Sequence, residues 1–202
     1  MTPQFDPQPV TLEGRHVRLE PLLPRHAPDL FEVGQDETIW AYMSRPPLKS
    51  VEDTSAWIDQ TLEIAAGGSQ IPFAIVERAS DKAIGSTRYM DIRRHDRGLE
   101  IGWTWVGTAF QRTAVNTECK YFLLRHAFEE FGAVRVQLKT DLRNVRSQRA
   151  IERLGAVREG VLRKHIVLWD GFIRDTVYYS VIESEWPEVK RRLVGLMGQA
   201  QT

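Results

Sequence analysis

One cysteine, Cys119, occurs among 202 residues. A single thiol excludes an intrachain disulfide framework and the thiolate clusters of structural zinc sites, and it suits a reducing compartment. The cytoplasm is the expected location. Also missing is an excess of either charge. Lys and Arg number 27 and Asp and Glu 27, so net charge gives no reason to expect a nucleic acid or a membrane as partner. No apolar run is long enough to cross a bilayer, and the proline-broken residues 1–10 lack the apolar stretch of an export signal. The histidines at 16, 26, 95, 126 and 165 never fall four residues apart, and one cysteine cannot complete a ligand set, so no metal is expected. What remains, 42% hydrophobic and 27% charged, is the profile of one soluble globular domain, long enough to bury its own core.

Val17 and Leu19, alternating with His16, Arg18 and Glu20, predict a strand over 16–22 at a half-buried edge. Helical spacing of Ala27, Leu30 and Phe31 predicts a helix over 24–33, and that of Ala56, Ile58 and Leu62 another over 52–66, stopped by Gly67 and Gly68. Between them lie Trp40, Tyr42, Met43, Pro46 and Pro47. Such an aromatic, proline-broken loop either caps a core or lines a pocket. Strand-like runs at 72–77, 83–92 and 99–106, separated by turn signals, predict an antiparallel meander. A helix over 114–131 carries Val115, Cys119, Phe122, Leu123 and His126 on one apolar stripe, which makes Cys119 a core residue. Then come a buried strand over 134–138, a helix from about Asn144 to Gly155, and strands over 157–169 and 172–182 joined by the hairpin signal Asp170-Gly171. The last dozen residues read as a helix fraying into a tail. The organisation is thus an extension (1–13), one α/β (α+β) domain (14–190) and a tail (191–202). A meander that passes into a strand-helix-strand crossover must switch from antiparallel to parallel neighbours, and the switch leaves a crevice suited to a site.

The segment 110–117 joins a strand to the long helix. N–H groups at a helix start have no intrahelical acceptor and lie at the positive dipole end, so those between Arg112 and Thr117 can hold a pyrophosphate. The motifs Leu99-Glu100-Ile101-Gly102-Trp103, Gln111-Arg112-Thr113-Ala114-Val115-Asn116, Asp141-Leu142-Arg143-Asn144-Val145-Arg146-Ser147, Arg153-Leu154-Gly155-Ala156 and Gly160-Val161-Leu162-Arg163 together resemble the GNAT superfamily of N-acetyltransferases. Within it they are most similar to the branch of the ribosomal-protein alanine N-acetyltransferases RimJ and RimL. The resemblance runs from Gly14 to Ile182. It implies a GNAT-like mixed, mostly antiparallel sheet of about seven strands with about four helices, and transfer of acetyl from acetyl-CoA to a primary amine in a ternary complex.

The acceptor implied is a small-molecule amine or a protein N-terminal α-amine, with a homodimer left open. Glu100, eleven residues before Gln111, matches the general base of many relatives; its other reading is to orient a neighbour or pair with an arginine. The backbone of Thr104, Trp105 and Val106 is implied in binding the thioester and pantetheine. Gln111, Arg112, Thr113, Ala114, Val115, Asn116 and Thr117 form the pyrophosphate loop, with Ala114 and Asn116 where the family usually has small residues led by glycine. Asn144 is implied against the pantetheine arm and is also a helix N-cap by residue type. Ile151 stands where many relatives carry a tyrosine acid, and Ser147 is the substitute, or else simply a first-turn residue. Trp40, Tyr42 and Trp169 are the candidates for the acceptor pocket. Arg143, Arg146, Arg149 and Arg153 line one helix, as a solvated face or as phosphate contacts. The altered loop and missing tyrosine also fit a CoA-binding sensor or interaction module that has lost the chemistry.

Overall fold

The computed structural model describes residues 5–199. In β3 (Ile71–Glu77) Phe73 and Ile75 enter one core while Ala74 and Val76 enter another, all of them buried. A strand apolar on both faces belongs inside a sheet covered on both sides. It pairs antiparallel with β2 (Val17–Pro21) and with β4 (Ala83–Arg93). The meander continues into β5 (Gly98–Val106), which then takes a parallel neighbour, β6 (Arg135–Asp141). The hairpin of β7 (Val157–Val167) and β8 (Ile173–Ile182) closes the sheet, with β8 antiparallel to β6. A two-residue strand, β1 (Leu12–Glu13), pairs with β2. The order is β1-β2-β3-β4-β5-β6-β8-β7, which bears out the mostly antiparallel sheet and its single switch to a parallel pair. Among the described residues there are eight strands and five α-helices rather than about seven and about four. The strand over 16–22 is not an edge, because β1 shields it; two residues are too few for alternation to reveal. Phe5 and Leu12, from the segment before residue 14, are buried in the core.

On one face α1 (Ala27–Val33) and α2 (Val51–Ala66) bury Leu30, Trp57 and Ile58 against Ala74, Val76 and Trp105. On the other, α3 (Ala114–Arg125) and α5 (Trp186–Gln199) bury Cys119, Leu123, Val189 and Leu193 against the larger core. Ser50 caps α2 and Thr113 caps α3, each accepting a first-turn N–H. The helix predicted over 114–131 stays α-helical only to Arg125, and His126–Glu130 form a π-helical turn that leads into Gly132 at φ +69°. An apolar stripe does not distinguish these two windings. Finally α4 (Val145–Leu154) starts at Asn144 and ends at Gly155, whose φ of +102° suits glycine as a helix stop.

Candidate active site

The parallel contact of β5 and β6 is brief. It joins Gly98 to Arg135, Leu99 to Val136 and Glu100 to Gln137, while β5 stays paired with β4 out to Val106. On the β4 side, Arg88 faces Gly102 and Ser86 faces Trp105, so β5 takes three steps where β4 takes two. That extra residue is a β-bulge, with Trp103 at φ +50° and its indole stacked 4.8 Å from the Arg88 guanidinium. A bulge bends its strand, and beyond Glu100 the β6 side of β5 offers backbone N–H and C=O groups with no neighbouring strand. A cavity of about 660 Å³ opens in this gap.

Glu100 forms part of its wall, with only 1% of its side chain exposed. One carboxylate oxygen, Oε2, lies 3.0 Å from Nζ of Lys139 and accepts from Nε2 of Gln137 at 3.0 Å. Oε1 turns toward Gly102, where a Cβ would come within 2.8 Å of it. Glycine at 102 is therefore what lets the carboxylate lie against the open edge of β5. The alternative in which Glu100 pairs with an arginine is corrected here. Its cation is Lys139, two residues along β6 from Gln137, which strand alternation puts on the same face.

At the mouth, the chain turns back from β5 into α3. Thr113 Oγ1 accepts from Val115 N at 3.2 Å, which leaves the first-turn N–H groups of Ala114 and Asn116 without an intrahelical acceptor. Arg112, at φ +62°, makes the sharp entry to the helix. Gln111 ties the loop to both sides of the cleft: its Nε2 donates to the Val106 carbonyl at 3.2 Å, and its Oε1 accepts from Arg146 of α4 at 2.7 Å. Asn144 caps α4, its Oδ1 accepting from Ser147 N at 3.0 Å, and both side chains line the cavity. Arg112, Lys120, Lys139, Arg146, Arg153 and Arg174 line it too, against Glu100 as the one carboxylate among the described residues of its wall. So cationic a cleft, with free N–H groups at a helix start and a free strand edge behind them, fits a long ligand with phosphates at one end and amides along its length.

Of the residues singled out from sequence, Glu100, Thr104, Trp105, Val106, Gln111, Arg112, Thr113, Asn116, Asn144, Ser147 and Tyr42 come together around this cavity. Ala114, Val115 and Thr117 do not line it: Val115 packs into the core and Thr117 Oγ1 accepts from Arg153. They sit on other faces of α3, and only their backbone belongs to the helix start. Trp40 is corrected. It is 1% exposed, donates its indole N–H to the Gly34 carbonyl at 2.8 Å and packs 4.9 Å from the Trp105 ring, so it caps the core rather than lining a pocket. Trp169 is exposed at the β7–β8 turn and lies outside the cavity wall. The same hairpin instead contributes Ile166 and Arg174, and the Trp40 loop contributes Tyr42, Met43 and Ser44. Lys120, Lys139 and Arg174 were missed. Lys120 had a signal, being four residues after Asn116 and so on the same face of α3.

A family model described as an acetyltransferase (GNAT) domain matches residues 16–157. A crystal structure of a GCN5-related N-acetyltransferase from Brucella melitensis superposes with a TM-score of 0.90 at 30% identity, covering 98% of this chain and 89% of that one. A protein from T. thermophilus, provisionally named an acetyltransferase, is 43% identical with a TM-score of 0.83, covering 94% of this chain and 98% of that one. YdaF of Bacillus subtilis, provisionally named a ribosomal N-acetyltransferase, is 33% identical over 91 residues, which is 45% of this chain and about half (49%) of YdaF.

Proposed function

This chain belongs to the GNAT acetyltransferase family, and from that premise we propose that it moves the acetyl group of acetyl-CoA to a primary amine in the cleft where β5 and β6 part. The observation that carries the reading is the cleft itself. One end has free helix N–H groups among Arg112, Arg146 and Arg153, suited to phosphates; the middle has an unpaired strand edge, suited to the amides of a pantetheine arm; the far end has a buried carboxylate. The acceptor approaches from the side of Tyr42, Met43 and Ser44, and its ammonium gives up a proton to Glu100 directly or through one water. Its nitrogen then forms the C–N bond as the C–S bond breaks. Lys139 and Gln137 keep Glu100 in one orientation, while Oε1 makes no hydrogen bond among the described residues. The loop of Gln111, Arg112, Thr113 and Asn116, together with Asn144, holds the coenzyme, and Gln111 couples the loop to α4.

For the acceptor, we favour a protein α-amine over a small amine on the strength of the name carried by YdaF and the resemblance to the RimJ and RimL branch. Thiol release from acetyl-CoA in the presence of a panel of N-terminal peptides and small amines tests both levels. Release with peptides supports the whole reading, and release with small amines alone corrects the acceptor. Tight coenzyme binding with no release from any amine would instead favour a CoA-binding sensor.

A further inference from the structure

Lys120 is 5% exposed, yet it lines the cavity, and among the described residues no carboxylate lies within ion-pairing distance of it. Its ammonium has three protons to give and makes one hydrogen bond, to Oγ1 of Thr104, which is also 2.7 Å from Oγ1 of Thr87. A buried cation without a counter-charge is costly and is kept where something supplies the missing negative charge. The carboxylates beside it on α3 and in the cavity wall, Glu118 and Glu100, are engaged elsewhere. Glu118, its neighbour on α3, accepts the backbone N–H groups of Arg15, His16 and Val17; Arg153 of α4 is bound to Thr117; Glu100 and Lys139, from β5 and β6, are paired to each other.

Position says where a negative charge arises. The chain reverses between β5 and α3, so α3 runs back along β5, and Lys120, about two turns below the helix start, reaches Thr104 on the open edge. A coenzyme with phosphates at the start of α3 and its arm along β5 brings its thioester past this point. We propose that the Lys120 ammonium stands against the thioester sulfur and protonates the departing thiolate. The inference rests on the acetyl-transfer reading above. When the acceptor nitrogen bonds to the carbonyl carbon, the C–S electron pair stays on sulfur; Lys120 supplies the proton that makes CoA a thiol and is reprotonated, through water, by the second proton that the attacking nitrogen sheds as it becomes an amide. Burial pushes the Lys120 amine down to about 8, close to an ordinary thiol at about 8.5, which makes proton exchange between the two nearly balanced. Ser147, a neutral alcohol, has no such match.

The deciding measurement uses CoA and does not require the acceptor to be known. The thiolate absorbance of enzyme-bound CoA is followed as pH is raised in the wild type, Lys120→Met and Lys120→Arg, with a CoA analogue lacking the sulfur as a binding control. A cation within about 4–6 Å lowers the thiol midpoint by roughly one pH unit or more. The lowering is expected in the wild type and Lys120→Arg and is lost in Lys120→Met, while the sulfur-free analogue binds all three alike. With acceptor present, turnover of Lys120→Met falls roughly a hundred-fold. Thermal unfolding reports whether each variant is folded, and Lys120→Gln replaces Lys120→Met if that protein is not. A bound-thiol midpoint unchanged between wild type and the folded neutral variant overturns the Lys120 assignment alone. Failure of the wild type to bind CoA overturns the acetyl-transfer reading and this inference with it.

Discussion

Nζ of Lys139 lies 3.0 Å from Oε2 of Glu100, and Nε2 of Gln137 donates to that same oxygen. Glu100 and Gln137 are the last pair that β5 and β6 make before they part. The carboxylate thus sits at the fork of the sheet, one oxygen fixed to β6 and the other beside the open edge of β5. Removing Lys139 leaves a buried charge with one neutral donor, so Lys139→Met is expected to lower stability by about 3 kcal/mol, a value typical of a broken buried pair. Chemical denaturation of the variant checks this. A loss below about 1 kcal/mol would mean that solvent reaches the pair.

Trp40 and Trp169 separate packing from surface. Trp40→Ala is expected to cost about 3–5 kcal/mol, because a fully buried indole and its bond to the Gly34 carbonyl are lost. Trp169→Ala, at an exposed turn, is expected to stay within about 0.5 kcal/mol of wild type. Urea unfolding of the two variants makes the comparison.

Glu20 gives the fold an acid-sensitive anchor. Burial pushes its carboxyl up, but hydrogen bonds from Arg18, His26 and Arg25 outweigh that and hold it down at about 2, against 4.5 for a free glutamate. A lowered value in the folded state means that the stabilisation is present in full above about pH 4.5 and is lost as pH falls toward 2. It amounts to on the order of 2 kcal/mol once the exposed Arg25 partner is discounted. Glu20→Gln is expected to be less stable than wild type at pH 6 and nearly equal to it at pH 2. Stability measured across that range would refute the assignment if the gap between the two proteins stayed constant.

Cys119 is fully buried, and burial pushes its thiol up to about 12. A thiol reagent at pH 8 is therefore expected to label the folded protein only as fast as it unfolds. Labelling that is fast and insensitive to added acetyl-CoA would contradict the placement of Cys119 in the core.

Much of this fold was legible because its signals are local. Alternation marked β2, strand-like runs between turn signals marked β4 and β5, the stripe through Cys119 marked α3, and Asp170-Gly171 marked the last hairpin. The switch from meander to crossover placed the cleft before any side chain was considered. Contacts across the chain were not legible. The two-residue β1 has no period of its own, and the tie of Glu118 to three amides about a hundred residues away leaves no trace in local pattern. The aromatic loop could not be divided from sequence into Trp40, which packs inward on Trp105, and Tyr42, which faces the cavity. Lys139 and Arg174 read as ordinary charged residues because their burial comes from elements remote in sequence, and the spacing of Lys120 from Asn116 gives its face of α3 but not its burial.

The central claim is that the Glu100 carboxylate, at the fork of β5 and β6, accepts the proton that activates the amine. Its most direct test is the turnover of Glu100→Gln against wild type, followed by thiol release from acetyl-CoA with a reactive amine across pH 6–9, a span chosen to bracket neutrality at about 7. The substitution keeps shape and hydrogen bonding but cannot take a proton, so turnover at neutral pH is expected to fall roughly a hundred-fold, and the deficit to shrink as pH rises and more of the amine arrives neutral. Near-normal turnover of the folded variant at neutral pH would contradict the account and make Glu100 a structural partner of Lys139 alone.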